Sequence, residues 1–235
     1  MELRKWRTGI KEKGIPSDGA FVTFWRLLLQ YPEVLAWEQV WNSALNDTYQ
    51  DIFKLVRSIA PQKLVGWHIW HVNSFSPFYR AEQDYAEFSK YSDFLKVVMY
   101  NNCGGPRMAR AIKNVNETLF ADLTSQQALD LMYPLLGYKN EKDFKSIAKE
   151  GLTADYVARE TKRALASVSS HVKVWPGIDI DIPTEEGEKK TQPDDVYYAV
   201  KAAMGAGAHG VILSRKYSEM KLDNLRAAGR ALNEL

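Results

Sequence analysis

Short apolar runs alternate with amphipathic helical stretches along most of this 235-residue chain, and this alternation restricts the fold more than any other feature. A strand, a helix and another strand in succession require a crossover, and a crossover places the two strands parallel. The apolar runs fall at 34–38 (VLAWE), 64–70 (LVGWHIW), 94–100 (FLKVVMY), 172–180 (VKVWPGIDI) and 210–214 (GVILS). Each is short enough for a barrel strand and is followed by a polar loop.

The helices between them are marked by spacing and by end signals. Phe21 to Tyr31 reads as a buried helix ended by Pro32, and Asn42 to Asn46 as a polar turn. Tyr49, Ile52, Phe53, Val56 and Ile59 lie at helical intervals up to Pro61. Residues 81–90 read as the next helix. Thr124 and Gln127 suit a capping box for a helix over 125–133, and Thr153 an N-cap for one running to about residue 169. Pro193 opens another helix, as proline does in a first turn, and residues 221–232 close the chain, with Ser218 a candidate cap.

Five strand–loop–helix units suit either an open doubly wound sheet or part of a (β/α)₈ barrel. Function-capable side chains follow every strand end, whereas a doubly wound sheet gathers them near one switch point. Neither a G-x-G-x-x-G nor a P-loop pattern occurs. The expected fold is therefore an incomplete parallel barrel, a single domain over 1–235 carrying strands four to eight. Strands one to three would lie upstream in a longer parent, leaving the edges of strands four and eight exposed.

Composition narrows the function classes. With 31 basic and 29 acidic residues the net charge is +2, which gives no electrostatic ground for a nucleic-acid or anionic-membrane partner. No run approaches the roughly 20 apolar residues needed to cross a bilayer, and the start MELRKWRTGIKEKG lacks the apolar core of a signal peptide. Cys103 is the single cysteine, so neither an internal disulfide nor a Cys-rich zinc site can form. Metal binding is not expected, since H-x-H and H-E-x-x-H spacings are absent, and no cofactor is indicated. The 7 Trp, 12 Tyr and 9 Phe lean toward a carbohydrate cleft, where flat aromatic faces stack on sugar rings.

Candidate chemistry follows the strand ends. Glu38 would end strand four between Trp37 and Trp41, where apolar rings raise a carboxyl's proton affinity and suit it to general acid work. Asp179 and Asp181 end strand seven and share one side by alternation. The bland alternatives are a solvated helix position for Glu38 and loop capping for the two aspartates. Glycoside hydrolysis needs two carboxyls about 5–10 Å apart, and strands four and seven face each other across a barrel mouth. His68, His71, Tyr79, Arg80, Asn101, Asn102, Trp37 and Arg215 are the candidate substrate contacts. Packing or turn roles compete for the histidines and asparagines, and Arg80 has Asp84 four residues on as a pairing partner. His71, Tyr79, Asn101, Asp179, Asp181 and Arg215 should converge on one face.

The runs GWHIWHVNSFSPFYRAEQDY, VVMYNNCGGPRM, WPGIDIDIP and GVILSRKYSEMKLDNLRAAG resemble bacterial glycoside-hydrolase-like (β/α)₈-barrel proteins over nearly the whole chain. The resemblance implies earlier strands and an export signal upstream, an acid on strand four and a second on strand seven. Glu38 and Asp179 or Asp181 stand in those places. The family pattern's Asn-Glu pair is Trp37-Glu38 here, and strand seven offers Asp instead of Glu. The expected function is glycoside hydrolysis by paired carboxyls, with a non-catalytic carbohydrate-binding barrel as the alternative. A lyase, epimerase or aldolase is weaker, because Lys96 lies inside strand six instead of at its end.

Overall fold

A computed structural model describes residues 2–235 as a mixed α/β structure in which helix predominates. Helices α1 (Glu2–Lys13), α2 (Ala20–Gln30) and α3 (Glu33–Ile59) come first. Strand β1 (Gly66–Ile69) leads into the short helices α4 (Val72–Phe75), α5 (Pro77–Glu82) and α6 (Tyr85–Phe88). Strand β2 (Phe94–Val97) is followed by α7 (Gly104–Asn116), α8 (Ser125–Leu136), α9 (Ile147–Glu150) and α10 (Ala154–Ser167). Strands β3 (Lys173–Val174) and β4 (Gly177–Asp179), helix α11 (Pro193–Gly205), strand β5 (Ile212–Ser214) and helix α12 (Leu222–Asn233) complete the order.

The strands form two small parallel sheets, β1-β2-β3 and β4-β5, joined by a bridge between Val98 and Gly177. The four expected strand regions from 64 onward are thus parallel and adjacent in chain order. No closed barrel forms among the described residues. The expected strand 172–180 is split where Pro176, which has no N–H to give, interrupts the ladder. The expected helix over 81–90 is replaced by α5 and α6, because Asp84 accepts from the Ala86 amide and starts a new helix.

The expected strand at 34–38 is overturned: these residues belong to α3, and the turn at 42–46 is helical too. The physical reason is visible in the spacing. Val34, Trp37, Trp41, Leu45, Tyr49, Ile52 and Val56 recur every three or four residues, and neither Gly nor Pro interrupts the stretch. A costly helix nucleus, once formed, propagates at one hydrogen bond per residue, so the four-residue apolar run never becomes a separate strand. The later half of this stripe meets the body: Tyr49 packs on Trp67 with ring centres 4.5 Å apart, and Tyr91 Oη donates to Asn46. Trp37 and Trp41 in the earlier half are 66% and 59% exposed.

Pairing in register fixes the two faces of the sheet, since paired residues in a ladder point the same way. Trp67, Ile69, Leu95, Val97, Val174 and Ile178 share one face; all are buried except the half-buried Trp67, and they belong to the main core under the helices. Gly66, His68, Phe94, Lys96 and Trp175 lie on the other face, where His68 is exposed and Phe94, Lys96 and Trp175 are half-buried. An added Cβ at Gly66 would stand 2.4 Å from the Phe94 carbonyl oxygen, so this edge position tolerates no side chain.

Candidate binding face at the strand ends

Because the strands are parallel, everything that follows β1, β2, β4 and β5 lies at one end of the sheet. That end carries His71, Asn101, Asn102, Asp179, Asp181 and Arg215, and the open face leads into it from His68, Lys96 and Trp175.

The turn after β2 is built around Asp179. This carboxylate is buried and accepts from the Cys103 amide at 2.8 Å and from the Asn102 amide and side chain at 3.4 Å each. It therefore holds the turn that leads into α7, whose first residue is Gly104. Burial raises its proton affinity and the amides oppose that shift. Gly105 is required here by close approach, since an added Cβ would stand 2.1 Å from the Ile147 carbonyl oxygen. The same turn buries Asn101, whose backbone carbonyl accepts from Leu152 while its side-chain oxygen has no partner. Burial pushes the Cys103 thiol well up, so it stays a neutral packing group.

Asp181 has a different task. Its φ of 57° is left-handed, a region Asp tolerates better than most residues. From there it accepts from the Lys221 amide at 2.7 Å and from Asn224 Nδ2 at 3.0 Å. It anchors the start of α12, the role expected of Ser218, and the two aspartates follow the capping alternative.

His71 sits between the rings of Trp70 and Phe75 at 4.7 and 5.3 Å. Its Nδ1 lies 3.3 Å from Arg107 Nη1. Burial, with Arg107 and further cations beside it, pushes the imidazole down to about 3. Arg107 can only donate, so Nδ1 is the acceptor and the proton of the neutral ring sits on Nε2. The Arg107 guanidinium lies 5.9 Å from the ring centres of both Trp70 and Tyr100. Across the sheet, Lys96 Nζ donates to Tyr100 Oη at 3.5 Å and pairs in register with His68. Burial lowers the proton affinities of Lys96 and His68 alike, and the lysine's charge lowers the histidine's further. Trp70 is 51% exposed, and Phe94 stacks on Trp175 at 4.3 Å between ring centres. Flat aromatic faces thus stand beside hydrogen-bond donors.

The remaining expected site residues take no part in these contacts. Arg80 pairs with the buried Glu160 at 2.8 Å and donates to the carbonyls of Asn73 and Leu136, so it holds loops together, and Asp84 caps α6 instead of pairing with it. Tyr79 is on the exposed side of α5, and Arg215 pairs with Glu219 in the loop after β5. Trp37 and Glu38 are exposed on α3, where Glu38 is close enough to Glu82 to add to the effect of burial in raising that residue's proton affinity. Trp70, Lys96, Tyr100 and Arg107, none of them among the substrate contacts expected from the sequence, also stand together around this strand end. Among the described residues no group of three His, Cys, Asp or Glu stands close enough to hold a metal ion, and no helix is long and apolar enough to cross a membrane.

No protein-family model, curated protein or solved structure matches the chain.

Proposed function

We propose that the chain forms an arc of a (β/α)₈ barrel, and that its open sheet face and adjoining strand ends bind carbohydrate. The observation carrying this reading is the face itself. Parallel sheets are ordinarily covered on both sides, yet here His68 is exposed, Phe94, Lys96 and Trp175 stay only half-buried, and Lys96 shares the Tyr100 ring with Arg107, which also borders Trp70. The strand order, which follows the chain without reversal, supports an arc over a doubly wound sheet. Further strands are needed to close the ring. Aromatic planes for stacking and cationic donors for hydroxyls suit a sugar.

Hydrolysis by Glu38 with Asp179 or Asp181 receives less support from the geometry. Asp179 is fully buried and spent on amides, Asp181 is spent on α12, and Glu38 projects from an exposed stretch of α3. The non-catalytic binding reading is therefore the better supported of the two. A panel of mono- and oligosaccharides titrated against the chain, read by tryptophan fluorescence, tests it. We expect saturable binding that weakens by about ten-fold or more in Trp70→Ala, the loss of one stacking surface. Absence of binding across the panel would refute the reading. Glycoside cleavage lost in both Glu38→Gln and Asp179→Asn would restore the hydrolytic one.

A further inference from the structure

Lys96 and Arg107 both border the Tyr100 ring, with Nζ 5.9 Å and Cζ 5.9 Å from its centre. Both are half-buried. Neither forms an ion pair with a carboxylate among the described residues, although fifteen such pairs occur elsewhere. Asp179, the acid at this strand end, is fully occupied by the amides of Asn102 and Cys103. Among the described residues Arg107 meets only the neutral ring of His71, and Lys96 only a phenol oxygen. Ser214, paired in register with Asp179, adds a buried hydroxyl beside the Tyr100 phenol.

Two partly desolvated cations without a counter-ion are unfavourable unless something supplies the missing negative charge. From this geometry we propose that Lys96 and Arg107 form a subsite for the anionic group of a sugar, a carboxylate or a phosphate, at the end of β2. Arg107 presents a planar fork of donors and Lys96 a compact point charge, a combination matched to either oxyanion. Trp70 stands at the rim to take the sugar ring. Burial already lowers the proton affinity of Lys96, and a bound anion would reverse that penalty. The inference rests on the carbohydrate reading of the same face and names its substrate class as acidic sugars.

Calorimetric titration of the whole chain with glucose, glucuronate, glucose 6-phosphate and sodium acetate tests it, in low salt and again in about 0.3 M salt, where screening is stronger. We expect one or both acidic sugars to bind about ten-fold or more tightly than glucose. That gain should disappear in Lys96→Gln and in Arg107→Gln, and should survive in Lys173→Gln, an exposed lysine at the opposite strand end. Which acidic sugar gains more distinguishes carboxylate from phosphate. Equal binding of all three sugars, or a gain that survives both substitutions, overturns the anion subsite while leaving the sugar site standing. Acetate binding that the two substitutions abolish, without binding of any sugar, upholds the subsite and refutes the sugar reading. Binding of none of the four refutes both. A melting transition within a few degrees of the parent's establishes that each variant is folded, and either variant alone suffices.

Discussion

The two faces of the small parallel sheet are made by the same strands and alternate residue by residue, yet they answer to different physical demands. Ile69, Leu95, Val97 and Ile178 are 2% exposed or less beneath the helices, and their identity is a matter of apolar area removed from water. His68, Phe94, Lys96 and Trp175 look the other way, and packing alone explains neither a half-buried lysine nor a solvent-facing histidine. One face holds the protein together; the other is kept polar and aromatic at some cost in stability. Such a division is expected where binding residues ride on a rigid scaffold.

The largest effect should come from the covered face. Leu95 is fully buried in the centre of the β1-β2-β3 sheet, so Leu95→Ala should cost about 2–5 kcal/mol in urea unfolding. A change below about 1 kcal/mol would break the comparison at its root. Next comes the Asp179 cap: Asp179→Ala leaves the Asn102 and Cys103 amides buried without an acceptor and should cost about 1–3 kcal/mol. Glu38→Gln, on the exposed part of α3, should stay within about 0.5 kcal/mol.

Acid sharpens the contrast further. His71 is held at about 3, below its ordinary value of 6.5, so between those values the unfolded chain binds the proton that the folded chain refuses. Its contribution to stability is present above about pH 6.5 and declines as pH falls, with a slope of at most about 1.4 kcal/mol per unit. Asp179, whose proton affinity is raised, acts in the opposite sense just above its ordinary value of 3.8. Unfolding midpoints measured from pH 7 to pH 4 should therefore drop less in His71→Phe than in the parent. Parallel curves would remove His71 from the account.

A small effect also belongs to the open face. Lys96→Met deletes a partly desolvated charge and keeps the stem, so stability should change by less than about 1 kcal/mol and should rise if it moves. A loss comparable to Leu95→Ala would mean that Lys96 is structural and that the faces are not divided as described.

Much of this division was legible in the sequence. The strands at 66–69, 94–97, 173–179 and 212–214 fall inside the apolar runs, and their parallel order follows from the helices between them. The capping box at Thr124 and Gln127 and the proline start of α11 were equally plain. The region 33–59 was misread because VLAWE matches a strand in length, while the three- and four-residue spacing through Trp37, Trp41 and Leu45 continues the helix upstream. With that strand gone, the pairing of Glu38 with Asp179 across a mouth loses its basis. Lys96 was set aside because it lies inside the strand and not at its end, where a barrel lysine would act; alternation places it on the open face with Phe94 and His68. Arg107 and Tyr100 meet only through the turn that Asp179 caps, a contact between positions 76 and 77 residues apart that no local spacing encodes.

The most direct test of the central claim is a backbone and side-chain chemical-shift map of the chain as an acidic or neutral sugar is added. The account predicts that perturbations concentrate at His68, Trp70, Lys96, Tyr100 and Arg107 on the open face, with Leu95 and Val97 behind it and Trp37 and Trp41 on α3 unmoved. Perturbations centred on Trp37, Glu38 and Trp41, with the sheet silent, would contradict it.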